Sequence, residues 1–277
     1  MDVRQAPGLD LFLFTHDVGL ATQATAAGID GIVIDWERNG KHVRQRNADT
    51  EIDPGTIADL RRMRAATRTR VLCRINPLSD ATASEVEAAI AAGADELLLP
   101  MVRSVADIRT ALEIVAGRVD LGIMVETEDA VASARELARE PVSRAFLGLN
   151  DLAIERSSRS IFSALVDGTV DDVRAAFEVP FGVAGLTVPE GGEPLPCRLL
   201  IGELARLSCE FSILRRSFRR DIVGRRLDIE LARIRAAVSD AASRSLDEVR
   251  RARAELVEAV GELEGLATRV SMAAGRG

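Results

Sequence analysis

Short apolar runs alternate with amphipathic stretches along most of the chain. The runs are LDLFLFT (9–15), IDGIVIDWE (29–37), TRVLCRIN (69–76), ELLLPMV (96–102), VDLGIMVET (119–127), SRAFLGLND (143–151), PFGVAGLT (180–187) and CEFSILRRS (209–217). Each has the length and apolar content of a strand covered on both faces. Between most of them apolar residues recur at helical spacing, as in DPGTIADLRRMRAA, ATASEVEAAIAAG, SVADIRTALEIVAG, DAVASARELARE and CRLLIGELARLS. Ser104 stands before VADIR as an N-cap, and Gly93 and Gly117 follow helical runs as C-terminal stops. Eight strands with intervening helices predict an α/β fold, a closed parallel (β/α)8 TIM barrel. An open doubly wound sheet would use similar elements, but no GxGxxG turn follows the first strand.

From about Asp221 the pattern changes to long, charged helical sequence, so residues 1–221 are predicted as the barrel and 222–277 as a helical extension. The extension exceeds a closing barrel helix. It is expected to pack against another subunit in a homo-oligomer, the alternative being a segment that folds back on its own barrel. The arginine-rich RRSFRRDIVGRR at its start reads as a solvated, ion-paired helix beginning, because acidic residues follow closely.

Composition narrows the picture. At 277 residues and 47% hydrophobic content the chain can bury a large core. Its formal charge of −7 gives no overall attraction to nucleic acid, and the absence of tyrosine argues against a base-stacking surface. The three cysteines, Cys73, Cys197 and Cys209, are scattered without a CxxC pair and are expected to be reduced and buried. The early apolar piece LDLFLF lacks a basic flank and the length to span a membrane, so a cytoplasmic protein with no membrane partner is expected.

Reacting groups of such a barrel sit where strands finish. Strand one ends in Thr15, His16 and Asp17, strand two in Asp35, Glu37 and Arg38, and strand three in Arg74 and Asn76. Strand four ends in Pro100 and Met101, strand five in Glu126, strand six in Asn150 and Asp151, and strand seven in Thr187. Glu126 and Asp151, on neighbouring strands with little His or Cys nearby, suit a hard divalent cation with room left for substrate oxygens. The alternatives are a Glu126 held by amides of the following helix and an Asp151 that caps the next loop. Arg74 ends an otherwise apolar strand, and its planar fork suits a substrate carboxylate beside a metal; a structural ion pair with an adjoining strand is the other reading. Together these groups suggest a small 2-oxo acid whose enolate is stabilised by a polarised keto group.

The stretches GIDGIVIDWE, VLCRINPLSD, AAIAAGADELLLPMVRSVADIR, IMVETEDAV and FLGLNDLA occur in the order found in the metal-dependent pyruvate aldolase and citrate lyase β-subunit family of the phosphoenolpyruvate-binding barrel superfamily. The chain resembles that family from about residue 28 to 153, and only loosely from strand seven onward. The resemblance implies Mg²⁺ or Mn²⁺ held by Glu126 and Asp151, and a substrate carboxylate held by Arg74. One position departs: aldolases of the family carry a histidine where this chain has Arg38, while the lyase branch lacks that histidine.

The expected function is therefore a Mg²⁺-dependent carbon–carbon lyase or aldolase acting through the enolate of pyruvate or a related 2-oxo acid. Asp35 or Glu37 would orient water or a base, and Thr187 would help bind substrate. His16 would supply proton transfer, its other reading being a structural hydrogen bond. Arg38, with Lys41 and Arg44, would receive an anionic group such as a phosphate or coenzyme A, or would be a solvated basic loop, and His42 is expected to be exposed. The alternatives are an acyl-CoA lyase and a non-catalytic barrel that retains ligand binding and serves in assembly.

Overall fold

The computed structural model describes residues 8–38 and 55–274. Eight parallel strands close into a barrel in sequence order: β1 (Asp10–Phe14), β2 (Gly31–Asp35), β3 (Arg70–Arg74), β4 (Glu96–Leu99), β5 (Asp120–Val125), β6 (Ala145–Leu147), β7 (Phe181–Val183) and β8 (Phe211–Leu214). The chain is a TIM barrel, with helices on the outside of the strands.

Strand alternation sorts the core into two layers. One set of positions, including Leu11, Ile32, Val71, Leu97, Ile123 and Leu147, packs outward against the helices. The other set, Phe12, Val33, Leu72, Leu98, Met124, Phe146, Phe211 and Ile213, fills the barrel interior. Phe211 stands edge-on to Phe12 with ring centres 5.7 Å apart and stacks on Phe146 at 6.2 Å. Gly182 makes room for that plug, since a Cβ there would lie 2.5 Å from the Phe211 ring. Below it, fully buried Glu96 accepts hydrogen bonds from Arg144 Nε at 2.7 Å, Ser143 Oγ at 2.6 Å and Arg70 Nε at 3.0 Å. The Arg144 guanidinium lies against the rings of Phe12 and Phe211 at 4.8 and 4.9 Å. The interior is thus closed from beneath, and only the C-terminal ends of the strands offer an opening.

Helix boundaries follow the local signals. Ser104 caps Val105–Val115 in a reciprocal capping box with Asp107, and Gly93 ends Thr82–Ala92 in a left-handed conformation, φ 95°. At the end of Val105–Val115 the left-handed turn begins one residue before Gly117, at Ala116, φ 50°. The cysteines are free and buried. Among the described residues no helix is long and apolar enough to cross a membrane.

The C-terminal helices Leu227–Ala242 and Leu246–Ala274 both lie against the barrel helix Cys197–Arg206. Leu231, Ile234, Leu256 and Val260 are buried in the same apolar layer that covers the strands. The apolar stripe of the extension therefore has a partner within its own chain. Ile229, Leu246, Val257 and Leu266 remain exposed on these helices.

Candidate active site

The site is the next inward-facing layer above the interior plug. A strand repeats its facing every second residue, so the positions two beyond Val33, Leu72 and Met124 also turn toward the barrel axis. Those positions are Asp35, Arg74 and Glu126. Polar groups in an otherwise apolar alternation mark where the barrel stops being a core.

Arg74 is almost wholly buried. Its Nε and Nη2 donate to the two oxygens of Asp35 at 2.9 and 2.7 Å, its Nη1 faces Glu37 Oε2 at 3.3 Å, and the group lies 5.1 Å from the centre of the Phe14 ring. Burial disfavours the charged guanidinium, but Asp35, Glu37 and Glu126 outweigh it and hold Arg74 more firmly protonated than an ordinary arginine. Asp35 Oδ1 also accepts from the Glu37 amide at 3.1 Å. This bond fixes the turn that brings buried Glu37 back over the site.

Glu126 is 1% exposed. Its Oε1 accepts from the backbone amide of Met101 at 3.0 Å, across the neighbouring β4 exit, where Met101 adopts a left-handed conformation with φ 54°. Thr127, next in sequence, caps the following short helix by accepting from Ala130 N at 3.1 Å and donates to Val102 O at 2.6 Å. The helix after β5 is thus satisfied by Thr127, and the Glu126 carboxylate is turned inward. Gly148, two residues beyond the interior Phe146, completes the fit: a Cβ there would stand 2.3 Å from Glu126 Oε2. Asp151 is buried in the first turn of the helix Leu149–Glu155, β6 having ended at Leu147. It acts from a helix start and not from a strand end.

Burial first, then the negative charges of Asp151 and Glu37, push the Glu126 carboxyl up to about 8; Arg74 and the Met101 amide pull the other way. Near neutral pH an isolated Glu126 therefore retains a proton that a cation would displace. Glu126 and Asp151 could hold such a cation through oxygen alone, with Glu37 close by. Among the described residues no group of three His, Cys, Asp or Glu side chains is gathered in ligand geometry. Two carboxylates fit Mg²⁺ or Mn²⁺, which fill their remaining positions with water and substrate oxygens, better than a metal that needs a full protein cage.

Other expected residues sit apart. Thr187 is fully buried, its hydroxyl is bonded to Asp221, and its amide lies 3.3 Å from Cys197 Sγ, so it braces the β7 exit and faces no open site. Arg38 is exposed; Asn76 Oδ1 accepts from its amide at 2.7 Å and Gly55 O from its Nη2 at 3.0 Å. Asn76 is itself held by Glu85, which accepts from its side-chain and backbone nitrogens at 2.7 and 3.1 Å. Lys41, His42 and Arg44 lie outside the described residues. His16 and Asp35 line a small pocket at the mouth together with Arg215, Arg216 and Arg219. Gly148 and the β8 arginines were not anticipated as parts of this site, and Met101, expected only as the end of strand four, contributes through its backbone amide. Gly148 between an apolar run and an acidic helix start was the available signal.

Residues 9–160, more than half of the chain, match the model of a family described as HpcH/HpaI aldolase/citrate lyase. The matched segment contains Asp35, Glu37, Arg74, Glu126 and Asp151; Thr187 and the β8 arginines lie beyond it. Among solved structures, RipC from Yersinia pestis superposes with a TM-score of 0.56 at 13% identity, over 88% of this chain and 100% of that one, a likeness of fold. No curated protein matches the chain.

Proposed function

Since the chain belongs to the HpcH/HpaI aldolase/citrate lyase family, we propose that it is a divalent-metal-dependent carbon–carbon lyase acting through the enolate of pyruvate or a related 2-oxo acid. The observation that carries this reading is the burial of Glu126 and Asp151 at the barrel mouth beside Arg74, with the Glu126 carboxyl raised by that burial first and then by the negative charge of Asp151 and Glu37. Mg²⁺ or Mn²⁺ held by Glu126 and Asp151 would supply Lewis-acid stabilisation of the developing enolate charge.

The protein groups divide the remaining work. Arg74 binds the substrate carboxylate through the N–H groups left by Asp35, and Asp35 keeps the fork from rotating. In the cleavage direction the bond between C3 and C4 of a 4-hydroxy-2-oxo acid breaks and its electron pair enters the enolate. The C4 hydroxyl proton passes to a base, an aldehyde leaves, and C3 is then protonated. His16, whose imidazole can both accept and donate a proton, lines the mouth beside Asp35 and is assigned this proton traffic, with Glu37 orienting the reacting end. The plugged interior and the Phe14 ring limit water on the side away from solvent.

Titration of the protein with pyruvate, with and without Mg²⁺, tests the binding half of this reading. Metal-dependent pyruvate binding that weakens in Arg74→Lys supports it, and pyruvate binding indifferent to both removes the shared site.

A further inference from the structure

Three consecutive residues at the β4 exit each reach across to the β5 exit. The Met101 amide donates to Glu126 Oε1 at 3.0 Å, the Val102 carbonyl accepts from the Thr127 hydroxyl at 2.6 Å, and the Arg103 guanidinium donates to Asp129 Oδ2 at 2.8 Å. The same guanidinium meets Glu155 side-on, Nη1 to Oε1 and Nη2 to Oε2, both at 3.0 Å. Glu155 Oε1 also accepts from the Glu128 amide at 3.2 Å. One carboxylate is thus held by N–H groups from two neighbouring exits, at positions two residues beyond Met101 and two beyond Glu126.

Glu155 closes the helix Leu149–Glu155, in which Asp151 lies four residues earlier. Residues i and i+4 stand one above the other on a helix face, so the turn that carries Glu155 fixes the face that carries Asp151. Arg156 fastens the same end of the helix: its Nε donates to the Glu128 carboxylate and its Nη1 to the Thr169 hydroxyl at 2.8 Å. A helix of seven residues is too short to be stable without such outside contacts. A lone surface ion pair contributes little, and Arg103 is exposed. This pair differs in being two-pronged, in sharing Glu155 with a backbone amide, and in joining the three segments that carry Met101, Glu126 and Asp151.

We propose that Glu155, held by Arg103, is a positioning residue that sets the separation of Glu126 and Asp151 and with it the fit of the divalent cation. The inference rests on the proposed metal-dependent lyase reading. Neither residue is a ligand: Glu155 acts through the helix it ends, and Arg103 acts through Glu155. Because the Met101 amide belongs to the same β4 exit, a shift at Arg103 reaches both members of the carboxylate pair.

Mn²⁺ binding to the full-length protein, read from the loss of the free-ion electron paramagnetic resonance signal, tests this without any turnover. Glu155→Gln removes the charge and keeps the shape, and Arg103→Lys keeps the charge and loses the two-pronged bond. Each should weaken Mn²⁺ binding about tenfold, the lower end of what groups supporting metal ligands are worth. The two changes together should be no weaker than the worse single variant, within about twofold, since both break one connection. Arg109 and Glu140 supply the control: they pair between the helix Val105–Val115 and the chain leading into β6, with Arg109 Nη2 and Nε donating to Glu140 Oε1 at 2.9 and 3.1 Å. Arg109→Gln should leave Mn²⁺ affinity within about twofold. Unchanged affinity in both Glu155→Gln and Arg103→Lys, an equal loss in Arg109→Gln, or losses that add in the double variant overturns the positioning role. So does a metal-free melting temperature that falls in these variants while Mn²⁺ affinity is kept, which is the mark of a purely structural pair. An unaltered protein that binds no Mn²⁺ overturns the lyase reading and the inference with it; binding that ignores Arg103 and Glu155 overturns the inference alone.

Discussion

Arg74 and Asp35 are register partners across β3 and β2, and the Asp35 carboxylate takes both the Nε and the Nη2 of the guanidinium, at 2.9 and 2.7 Å. The two readings of Arg74, structural ion pair and substrate clamp, are therefore compatible. The pair fixes one edge of the fork, while the other, at Nη1, is oriented by Glu37 Oε2 at 3.3 Å. Arg74→Lys keeps the charge and loses that geometry. Pyruvate affinity should fall by about 1.5–3 kcal/mol, roughly ten- to a hundredfold, the usual worth of a hydrogen bond to a charged group. Mg²⁺ affinity should change little, and paired calorimetric titrations check both.

Glu126→Gln and Asp151→Asn should each cost roughly a hundredfold or more in Mg²⁺ affinity, because a direct ligand matters at least as much as the groups that support one. Glu126→Gln should also stabilise the metal-free fold, since it removes a buried carboxyl crowded by Asp151 and Glu37. Thermal melts with and without Mg²⁺ decide the matter. The unaltered protein should melt higher with the ion, and the variants should not respond.

Gly148→Ala probes the same carboxylate without touching a charge. The added methyl would fall 2.3 Å from Glu126 Oε2 and 2.8 Å from its Cβ, so Glu126 must move. A cost of about 1–3 kcal/mol in stability is expected for such overpacking, with a larger loss of Mg²⁺ affinity than of melting temperature. Equal metal affinity in the variant would show that Glu126 is not the ligand.

The pH dependence has a definite sign. Glu126 titrates near 8 in the folded protein against an ordinary 4.5. Between those values the unfolded chain has released the proton and the folded one retains it, so stability falls as pH rises through the window. This contribution is fully present below about 4.5 and is lost above about 8. Metal-free melts should decline across that range, Glu126→Gln should flatten the decline, and Mg²⁺ affinity should climb over the same interval as the carboxylate becomes free to bind. A flat metal-free profile in the unaltered protein would contradict the assignment.

Much of the site was readable in the sequence because strand alternation is strict: a charged residue two positions beyond an apolar interior residue faces the same axis. That logic reaches Asp35, Arg74 and Glu126. It reaches Arg215 as well, two residues beyond Ile213, but a run of arginines near acidic residues looks like a solvated helix. Strand position likewise does not reveal that the Thr187 hydroxyl is bonded to Asp221. The Met101 amide that orients Glu126 depends on a left-handed backbone at a residue type that rarely adopts one.

The C-terminal helices illustrate how a pattern can be right while its partner stays open. Their apolar stripe is met by Cys197–Arg206 of the same chain. Truncation after Asp221 should therefore uncover the barrel helix and lower the melting temperature, each of Leu231, Ile234, Leu256 and Val260 contributing about 1.5–3 kcal/mol of burial. Light scattering on the full and truncated chains tests the expected subunit contact separately, and a monomeric full-length chain would remove it.

The central claim is that this mouth forms an enolate with the help of a divalent ion, and deuterium exchange into the methyl group of pyruvate measures that step without any need for the acceptor. With Arg38 where related aldolases place a histidine, the exchange should be slow, should require Mg²⁺ or Mn²⁺, and should fall to background in Glu126→Gln. Pyruvate bound normally with no exchange, or exchange that persists without metal and in Glu126→Gln, would contradict the account.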